Sequence, residues 1–253
     1  MNIQRYSPTE SLKPFIKGYI IIESKEETEN LILPDTSMVM SIRYKGSVSI
    51  NDNKLPGAIL SGLRHTHRNV RYSSDSGNVL IAFEPGGVAA FFEEPLHELV
   101  EISVPLDSLK NYINSNEVCE QLHYASDNAE RISIVERMLI LKIRNQKFDA
   151  LVFHAVEKIR KDPCNMRIKE LLETLNISRD AFEKRFRRTI GTTPKQFSNI
   201  VRMKSVIEKG KEFNSLTDLA YESGYFDQAH FNKEFKLFTG QTPSVFFKST
   251  PLW

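Results

Sequence analysis

The chain has 253 residues, of which 40% are hydrophobic and 26% are charged, and its formal net charge is +2. A chain of this length can bury one large core or two modest ones. It has no apolar run of about 18 residues and no basic-then-apolar signal sequence at its start, so we expect a cytoplasmic protein. Its two cysteines, Cys119 and Cys164, are far apart, which argues against a disulfide framework or a zinc finger.

The charge is distributed unevenly along the chain. Residues 1–148 carry 16 Lys and Arg against 19 Asp and Glu, whereas residues 149–253 carry 18 against 13. A basic module joined to a slightly acidic one is typical of a phosphate-binding domain attached to a sensing or oligomerising domain. Unrelated domains also differ by this much, so the asymmetry alone decides little.

The first predicted domain, residues 1–106, is rich in β-structure. An amphipathic segment at residues 12–19 precedes its first predicted strand, and a short helix at residues 88–92 follows Gly86-Gly87. The β-branched and alternating runs between turn residues predict strands at residues 20–23, 31–34, 38–44, 47–50, 58–63 and 79–85. Such closely spaced short strands predict a small barrel or sandwich.

Two helices are predicted next, at residues 107–122 and 128–145. In the second helix the apolar residues cover more than half of the circumference; they are Ile132, Val135, Met138, Leu139 and residues 141–143. The helix is either a core helix packed on both sides or a dimer-forming helix. We therefore treat residues 107–147 as a helical linker and a candidate dimerisation segment.

The last part, residues 148–253, has only helical patterns. Apolar spacing and end signals predict helices at residues 149–160, 168–175, 179–189, 194–210, 216–223 and 228–239. Ser178 and Asp227 are suitable N-caps, and Thr193-Pro194-Lys195-Gln196 is a capping box with proline at the first helical position. Residues 215–218 form a second capping box, and Gly224 and Gly240 are helix stops.

An internal repeat connects these helices. The residues Phe182, Phe186, Gly191, Pro194 and Phe197 recur 49 positions later as Phe231, Phe235, Gly240, Pro243 and Phe246. Before the turn the offset is 48, and it relates Ile168, Leu171, Leu172 and Asn176 to Leu216, Leu219, Ala220 and Gly224. Two short helices around a tight turn, present twice, predict tandem helix-turn-helix units.

The second unit also carries a family signature. Its residues are Ala220, Gly224-Tyr225, His230-Phe231, Phe235-Lys236, Gly240 and Thr242-Pro243. In these positions residues 149–247 resemble the DNA-binding module of AraC/XylS-type transcription regulators. The chain departs from that family at Tyr225, where phenylalanine is usual, and at Lys233, where arginine is commoner. The resemblance implies a sequence-specific DNA-binding transcription regulator.

The helix at residues 194–209 sets the spacing between the units. At about 1.5 Å per residue it spans roughly 24 Å. With a recognition helix at each end, the separation approaches the roughly 34 Å between successive major grooves on one face of DNA. One chain can then read two grooves, with any misfit met by DNA bending.

Removing the apolar stripe leaves the residues expected to face DNA. The expected base contacts are Arg179, Asp180, Glu183, Lys184, Arg187, Gln228, Ala229, Asn232 and Lys233. The resemblance itself implies base contact for Asp180, Glu183, Lys184, Ala229, Asn232 and Lys233. The expected phosphate contacts are Arg188, Lys195, Arg202 and Lys236. For each residue the alternative is a solvated surface charge.

The N-terminal turn motifs resemble a domain of uncharacterised function that often precedes AraC-type modules. The motifs are Pro34-Asp35, Leu55-Pro56-Gly57-Ala58, Phe83-x-Pro85-Gly86-Gly87 and Val104-Pro105-Leu106. The likeness covers residues 5–112 and departs at Thr36, where relatives tend to have glycine. It implies effector sensing on a cupin-like β fold.

A basic loop around residues 64–71 contains His65 and His67. A metal is not favoured, because no third ligand is near in sequence and the neighbouring arginines would repel a cation. The loop is therefore an ordinary polar loop or an anion-binding one. The candidate effector-binding residues are Arg43, Arg64, His65, His67 and Glu84.

An enzyme is the alternative from another functional class. The sequence contains no phosphate loop and no nucleophile beside a base, so we expect neither a catalytic site nor a cofactor nor a metal. A deep pocket holding Arg43, Glu84 and a histidine would favour an enzymatic N-terminal domain.

The sequence thus predicts an α+β protein with an N-terminal cupin-like β-rich barrel and flanking helices, and a C-terminal all-α tandem helix-turn-helix domain. The expected partners are an operator DNA duplex, a second copy of the chain, a small-molecule effector and, for an activator, RNA polymerase. A protein partner in place of the small-molecule effector is the alternative within this class.

Overall fold

The computed structural model describes residues 1–110, 114–144, 149–164, 168–210, 212–213 and 215–248. The strands of its N-terminal part are β1 (Asn2–Tyr6), β2 (Ile16–Ser24), β3 (Thr28–Ile32), β4 (Val39–Lys45), β5 (Val48–Ile50), β6 (Asn53–Lys54), β7 (Ala58–Ser61), β8 (Arg68–Tyr72), β9 (Ser76–Phe83) and β10 (Ser103–Pro105). They form two sheets, in the orders β1-β2-β9-β4-β7-β10 and β3-β8-β5-β6, and every pairing is antiparallel.

The larger sheet is covered on both faces. Because side chains alternate along a strand, Tyr19 and Ile21 of β2 point to one face and Ile20 and Ile22 to the other. The first pair joins a core shared with the helices, and the second pair joins a smaller core shared with the four-stranded sheet. The predicted barrel or sandwich is confirmed as a two-sheet structure.

Sequence patterns missed several β elements. Strands β1, β6, β8 and β10 were not predicted, and the amphipathic segment at residues 12–19 ends a turn and begins β2. The helix expected at residues 88–92 is a 3-10 turn at Gly87–Ala90, and another 3-10 turn lies at Leu96–Leu99. Strands β1, β6 and β10 are short and lie at sheet edges, and whether such a segment becomes a strand depends on its pairing more than on its local pattern.

Helices α1 (Ser115–Tyr124) and α2 (Asn128–Ile140) pack on the larger sheet. The prediction of one helix over residues 107–122 is wrong, since a 3-10 turn at Leu106–Ser108 precedes α1; residues 111–113 lie outside the described part. Helix α2 ends at Ile140, five residues earlier than expected, and residue 145 also lies outside the described part of the chain.

The dimer interpretation of α2 named side chains that are part of the core. Met138 is 7% exposed and Leu139 is 2% exposed, because both pack beneath the sheet. The apolar side chains that remain accessible lie at the end of the helix: Ile140, Leu141 and Ile143. Most of the apolar stripe of α2 therefore belongs to a core helix, the first of the two alternatives for this segment.

The C-terminal helices match their predictions closely, except that the last one was not predicted. They are α3 (Ala150–Lys161), α4 (Ile168–Leu175), α5 (Arg179–Ile190), α6 (Pro194–Lys209), α7 (Leu216–Glu222), α8 (Gln228–Thr239) and α9 (Pro243–Phe246). The repeat extends to the backbone, because Asn176 and Gly224 occupy equivalent turns with φ of 48° and 76°. Gly191 and Gly240 end the two recognition helices with φ of 97° and 80°. Within the described residues, no helix is long and apolar enough to span a membrane.

The two helix-turn-helix units have different cores. Phe182, Phe186 and Phe197 of the first unit are continuous with the core of the β domain. Phe231, Phe235 and their neighbours form a separate core in the second unit, and Leu33 of the β domain packs against it. The first unit is therefore built into the N-terminal part more deeply than the second.

Candidate nucleic-acid interface

Helix α5 carries all five base-contact candidates of the first unit. Ser178 caps the helix by accepting a hydrogen bond from the backbone N–H of Ala181. Phe182 and Phe186 bury the opposite face, so the structure brings the candidates to one outer surface. On that surface Arg179, Asp180, Lys184 and Arg187 are exposed and Glu183 is half-buried. Ala181, which the sequence pattern placed inward, is also exposed.

Helix α8 gives the second unit the same arrangement. Asp227 accepts a hydrogen bond from the backbone N–H of His230 at 2.7 Å and so fixes the start of the helix. Gln228, Ala229 and Lys233 are exposed in the first turns, while Asn232 is half-buried. The Oδ1 atom of Asn232 is buried and accepts no hydrogen bond from a described residue.

The cations of the module divide into paired and unpaired groups. Arg185 is paired: its guanidinium donates to both carboxylate oxygens of Asp149, at 2.8 and 2.9 Å. In contrast, several exposed cations on or beside the two recognition helices form no ion pair within the described ranges; they are Arg179, Lys184, Arg187, Arg188, Lys195, Lys233 and Lys236. Unpaired surface cations are available to displace counterions from phosphates.

The pairing with Arg185 also ties the first recognition helix to α3. Asp149 is the N-cap of α3, where it accepts from the backbone N–H of Val152 at 3.2 Å. Burial alone would raise the pKa of Asp149, but hydrogen bonds from Arg185 and Val152 and the guanidinium charge lower it below its usual value. Asp149 therefore stays ionised at neutral pH.

Arg202, an expected phosphate contact, is engaged by side chains of the second unit. Its guanidinium lies over the ring of Tyr225, 4.3 Å from the centroid, and pairs with Glu234 Oε2 at 3.1 Å. Tyr225 donates its hydroxyl to the same carboxylate oxygen at 2.9 Å, and His230 Nε2 lies 3.2 Å from Glu234 Oε1. The charge of Arg202 is therefore already compensated inside the second unit, and its phosphate contact stays a prediction.

Helix α6 connects the two units as a capped rod. Thr193 accepts from the backbone N–H of Gln196 at 3.2 Å, and Gln196 Oε1 accepts in return from the backbone N–H of Thr193 at 3.3 Å. The predicted capping box is thus confirmed. Ile200, Met203 and Val206 bury one face of the helix in the core of the second unit, so its orientation is fixed by packing.

The five candidate effector residues do not form one site. Arg43 donates to the carbonyl of Leu55 at 3.0 Å beside α1, and Glu84 pairs with Arg160 at 3.3 Å. His65 lies between Glu101 and the hydroxyl of Thr192, at 3.0 and 3.1 Å. His67 Nδ1 lies 3.4 Å from the carbonyl of Leu237. Both histidines therefore face the C-terminal module.

A cavity of about 760 Å³ lies between the two sheets. Its apolar wall includes Ile20, Ile22 and Leu80, and Ile207 and Phe247 of the C-terminal module close one side. Among the described residues its lining includes Arg64 but not Arg43, Glu84 or a histidine, so it lacks the cluster that would favour an enzyme. Sequence reasoning did not select Arg5 and Arg68, which also line it.

Potential metal ligands are not grouped in the structure. The described ranges contain no set of three or more His, Cys, Asp or Glu side chains arranged to hold an ion. The two cysteines are free thiols, and burial raises the pKa of each.

Comparison with known families agrees with the two-part architecture. Residues 171–249 match the model of a helix-turn-helix domain, and residues 4–105 match a domain of unknown function, DUF6597. An uncharacterised HTH-type transcriptional regulator of Haemophilus influenzae is 26% identical over 166 residues. That alignment covers 63% of this chain and 54% of the relative, so the chain spans about half the length of the curated relative it matches.

Solved structures give more distant likenesses. ToxT from Vibrio cholerae is 13% identical, with a TM-score of 0.47 over 98% of each chain. The C-terminal domain of AraT, a response regulator from Geobacillus stearothermophilus, is 19% identical with a TM-score of 0.39; it covers 43% of this chain and 92% of that one.

Proposed function

We propose that this chain, whose residues 171–249 form a helix-turn-helix domain of the AraC type, is a transcription regulator that binds a specific operator through both units at once. The observation that carries the proposal is the pair of capped recognition helices, α5 and α8, held by one rigid helix, α6. Their outer surfaces carry exposed cations with no ion pair among the described residues, as phosphate binding requires.

The outer residues fall into two groups by their chemistry: those proposed to contact bases and those proposed to bind phosphates. Asn232 suits adenine, Lys184 and Lys233 suit guanine, and Glu183 can accept only from an amino group of cytosine or adenine. The further proposed base contacts are Arg179, Asp180, Arg187, Gln228 and Ala229. Arg188, Lys195 and Lys236 are proposed to grip phosphates, which fixes the register without reading sequence.

Selection of binding sites from random duplex DNA with the purified full chain tests the proposal. We expect enrichment of one sequence, with affinity for the selected duplex at least about 10³-fold above that for unrelated DNA. Affinity should fall steeply with added salt, because lysines and arginines displace counterions. A folded protein that binds no duplex at low salt would overturn the assignment.

We also propose that the β-rich domain senses an effector and that the chain forms a homodimer in the cytoplasm, where operator DNA lies. The cavity between the sheets supports sensing, because C-terminal residues form part of its wall. An activator would further contact RNA polymerase. Control by a protein partner is the alternative: it predicts that no small molecule changes operator affinity.

The exposed apolar end of α2 supports the dimer. Leu141 is 82% exposed, and Ile140 and Ile143 lie beside it in sequence and are also accessible. Leu141→Lys should give folded monomers in light scattering, whereas Ile102→Lys, at another exposed apolar site, should leave the dimer intact. A monomeric wild type at micromolar concentration would contradict the dimer without affecting the DNA assignment.

A further inference from the structure

Strand β8 directs an arginine into the cavity between the sheets. Alternation along the strand places Arg68, Val70 and Tyr72 on one face, and Val70 and Tyr72 are buried against the larger sheet. Arg68 lines the cavity together with Arg64. Arg71 alternates to the other face, where it pairs with Asp52 at 2.9 Å.

The two cavity arginines share one weak acceptor. Arg64 Nη2 and Arg68 Nη1 both donate to Ser103 Oγ, at 3.4 and 3.5 Å. Arg64 has a carboxylate, Glu101, at 3.7 Å, but Arg68 forms no ion pair with any described residue. The Nε atoms of both arginines are buried and have no hydrogen-bond acceptor among the described residues.

Two guanidinium groups in this position repel each other. Burial and then the charge of Arg64 lower the pKa of Arg68 to about 10, while Tyr72 and Glu101 only partly offset them. A guanidinium stays protonated at neutral pH, so the positive charge persists in a largely apolar cavity. Such a part-buried and only partly offset charge is costly unless an anion pairs with it.

We propose that this cavity binds a small organic anion, with its acid group between Arg64 and Arg68 and its apolar body along Ile20, Ile22 and Leu80. A guanidinium matches a carboxylate or phosphate in planar, two-point geometry, which fits the free Nε donors. Ile207 and Phe247 complete the wall, so the bound molecule would contact the DNA-binding module as well. The inference rests on the proposed sensing role of the N-terminal domain.

Thermal unfolding and titration calorimetry of the full chain test it with three probes at constant ionic strength: 4-phenylbutyrate, the matched neutral 4-phenylbutan-1-ol and inorganic phosphate. We expect the wild type to bind the carboxylate about tenfold or more tightly than the alcohol, since hydrogen bonds to a charged group are the stronger ones. Phosphate alone should bind more weakly than the carboxylate, because it has no apolar body.

Three variants test which arginines cause the preference for the carboxylate over the alcohol. Arg68→Met should remove the preference for the carboxylate and, without ligand, unfold at the same or a higher temperature than the wild type. Arg64→Met should reduce the preference as well, and it provides the test if Arg68→Met does not fold. Arg71→Met is the matched control on the same strand and should keep the full preference.

Equal binding of the carboxylate and the alcohol by the wild type, or equal loss in the Arg68 and Arg71 variants, would overturn the anion site. Binding of phosphate as tight as that of the carboxylate would overturn the apolar half of the proposal. Operator binding is measured separately, so a chain that binds the carboxylate but no DNA would refute the proposed function and leave the anion site standing.

Discussion

Ion pairing divides the arginines of the C-terminal module into two groups. Arg185 and Arg202 are engaged by Asp149 and Glu234 and hold helices together. Arg179, Arg187 and Arg188 are exposed and form no ion pair in the described part of the chain. Substituting an arginine of the first kind should therefore reduce stability, and substituting one of the second kind should reduce DNA affinity.

Substituting Glu183 distinguishes the proposed base contacts from the proposed phosphate contacts, because its side chain is acidic. Glu183→Ala removes a negative charge from a surface that approaches phosphates, so binding to unrelated DNA should stay equal or tighten. Preference at one operator position should fall by about 1–3 kcal/mol, because an acceptor for a base amino group is lost. Competition titrations against operators with single base changes measure both effects.

The matched control for this change is Glu117→Ala, which removes the same charge from an exposed position of α1. It should leave operator preference unchanged. If Glu183→Ala retains full discrimination at every position, the residue is only a solvated charge and the proposed orientation of α5 on DNA is wrong.

Tyr225 links the turn of the second unit to its recognition helix. Burial raises the pKa of its hydroxyl, Arg202 lowers it and Glu234 raises it further, so the group remains a donor at neutral pH. Tyr225→Phe should destabilise the protein by about 1 kcal/mol, because the carboxylate of Glu234 loses a part-buried hydrogen bond. Urea unfolding measures the change.

Tyr221→Phe provides the comparison, since Tyr221 is 63% exposed whereas Tyr225 is 4% exposed. It should change the unfolding free energy by less than about 0.5 kcal/mol. Equal effects of the two substitutions would mean that the hydroxyl of Tyr225 contributes nothing to holding α8.

At the level of elements, local signals were enough for the two recognition helices. The caps Ser178 and Asp227 and the stops Gly191 and Gly240 act within one helical turn, so sequence alone located α5 and α8 to within a residue. Strand β8 was missed because Arg68 occupies an inward position where an apolar residue is expected. This arginine at an inward position lines the cavity between the sheets.

The capping box at the start of α6 predicts a measurable asymmetry between the two repeats. Thr193 and Thr242 are equivalent N-caps, but only Thr193 makes a side-chain capping hydrogen bond. Thr193→Ala should therefore cost about 1 kcal/mol of unfolding free energy, whereas Thr242→Ala should cost clearly less. Urea unfolding of both variants measures the difference, and a larger loss for Thr242→Ala would contradict the role given to the box.

At the scale of the whole molecule, polar contacts connect the β domain to the DNA-binding module. Asp35 pairs with Lys204 of α6 at 2.7 Å, Glu84 pairs with Arg160 of α3, and His65 contacts Thr192. A Cβ on Gly191 would lie only 2.5 Å from Met38 Cε, so the end of α5 also fits closely against the β domain. Sequence patterns could not locate these contacts, because partners such as Asp35 and Lys204 are distant in the chain.

The Asp35 pair gives a pH dependence with a definite sign. Burial would raise the pKa of Asp35, but Lys204 and then Lys17 lower it below its usual value of 3.8. The stabilisation is therefore present above about pH 4 and is lost as the pH falls through the lower folded-state value. Asp35→Asn should reduce stability at pH 7 by less than about 1 kcal/mol, because the pair is partly exposed.

The difference between wild type and Asp35→Asn should shrink as the pH is lowered from 7 to 3 in thermal unfolding. Asp75→Asn removes a surface carboxylate that pairs with Lys45 within the β domain, so it controls for a general loss of negative charge. A gap between wild type and Asp35→Asn that widens in acid would contradict the assignment of this contact.

The central claim is that one chain reads two successive grooves with units held by α6, and base-resolution footprinting on the selected operator tests it most directly. One protomer should protect two groups of bases whose centres are about 10–10.5 base pairs apart, and Glu183→Ala and Lys233→Ala should each weaken a different group. Protection of a single group by each protomer, or loss of both groups in both variants, would contradict the account.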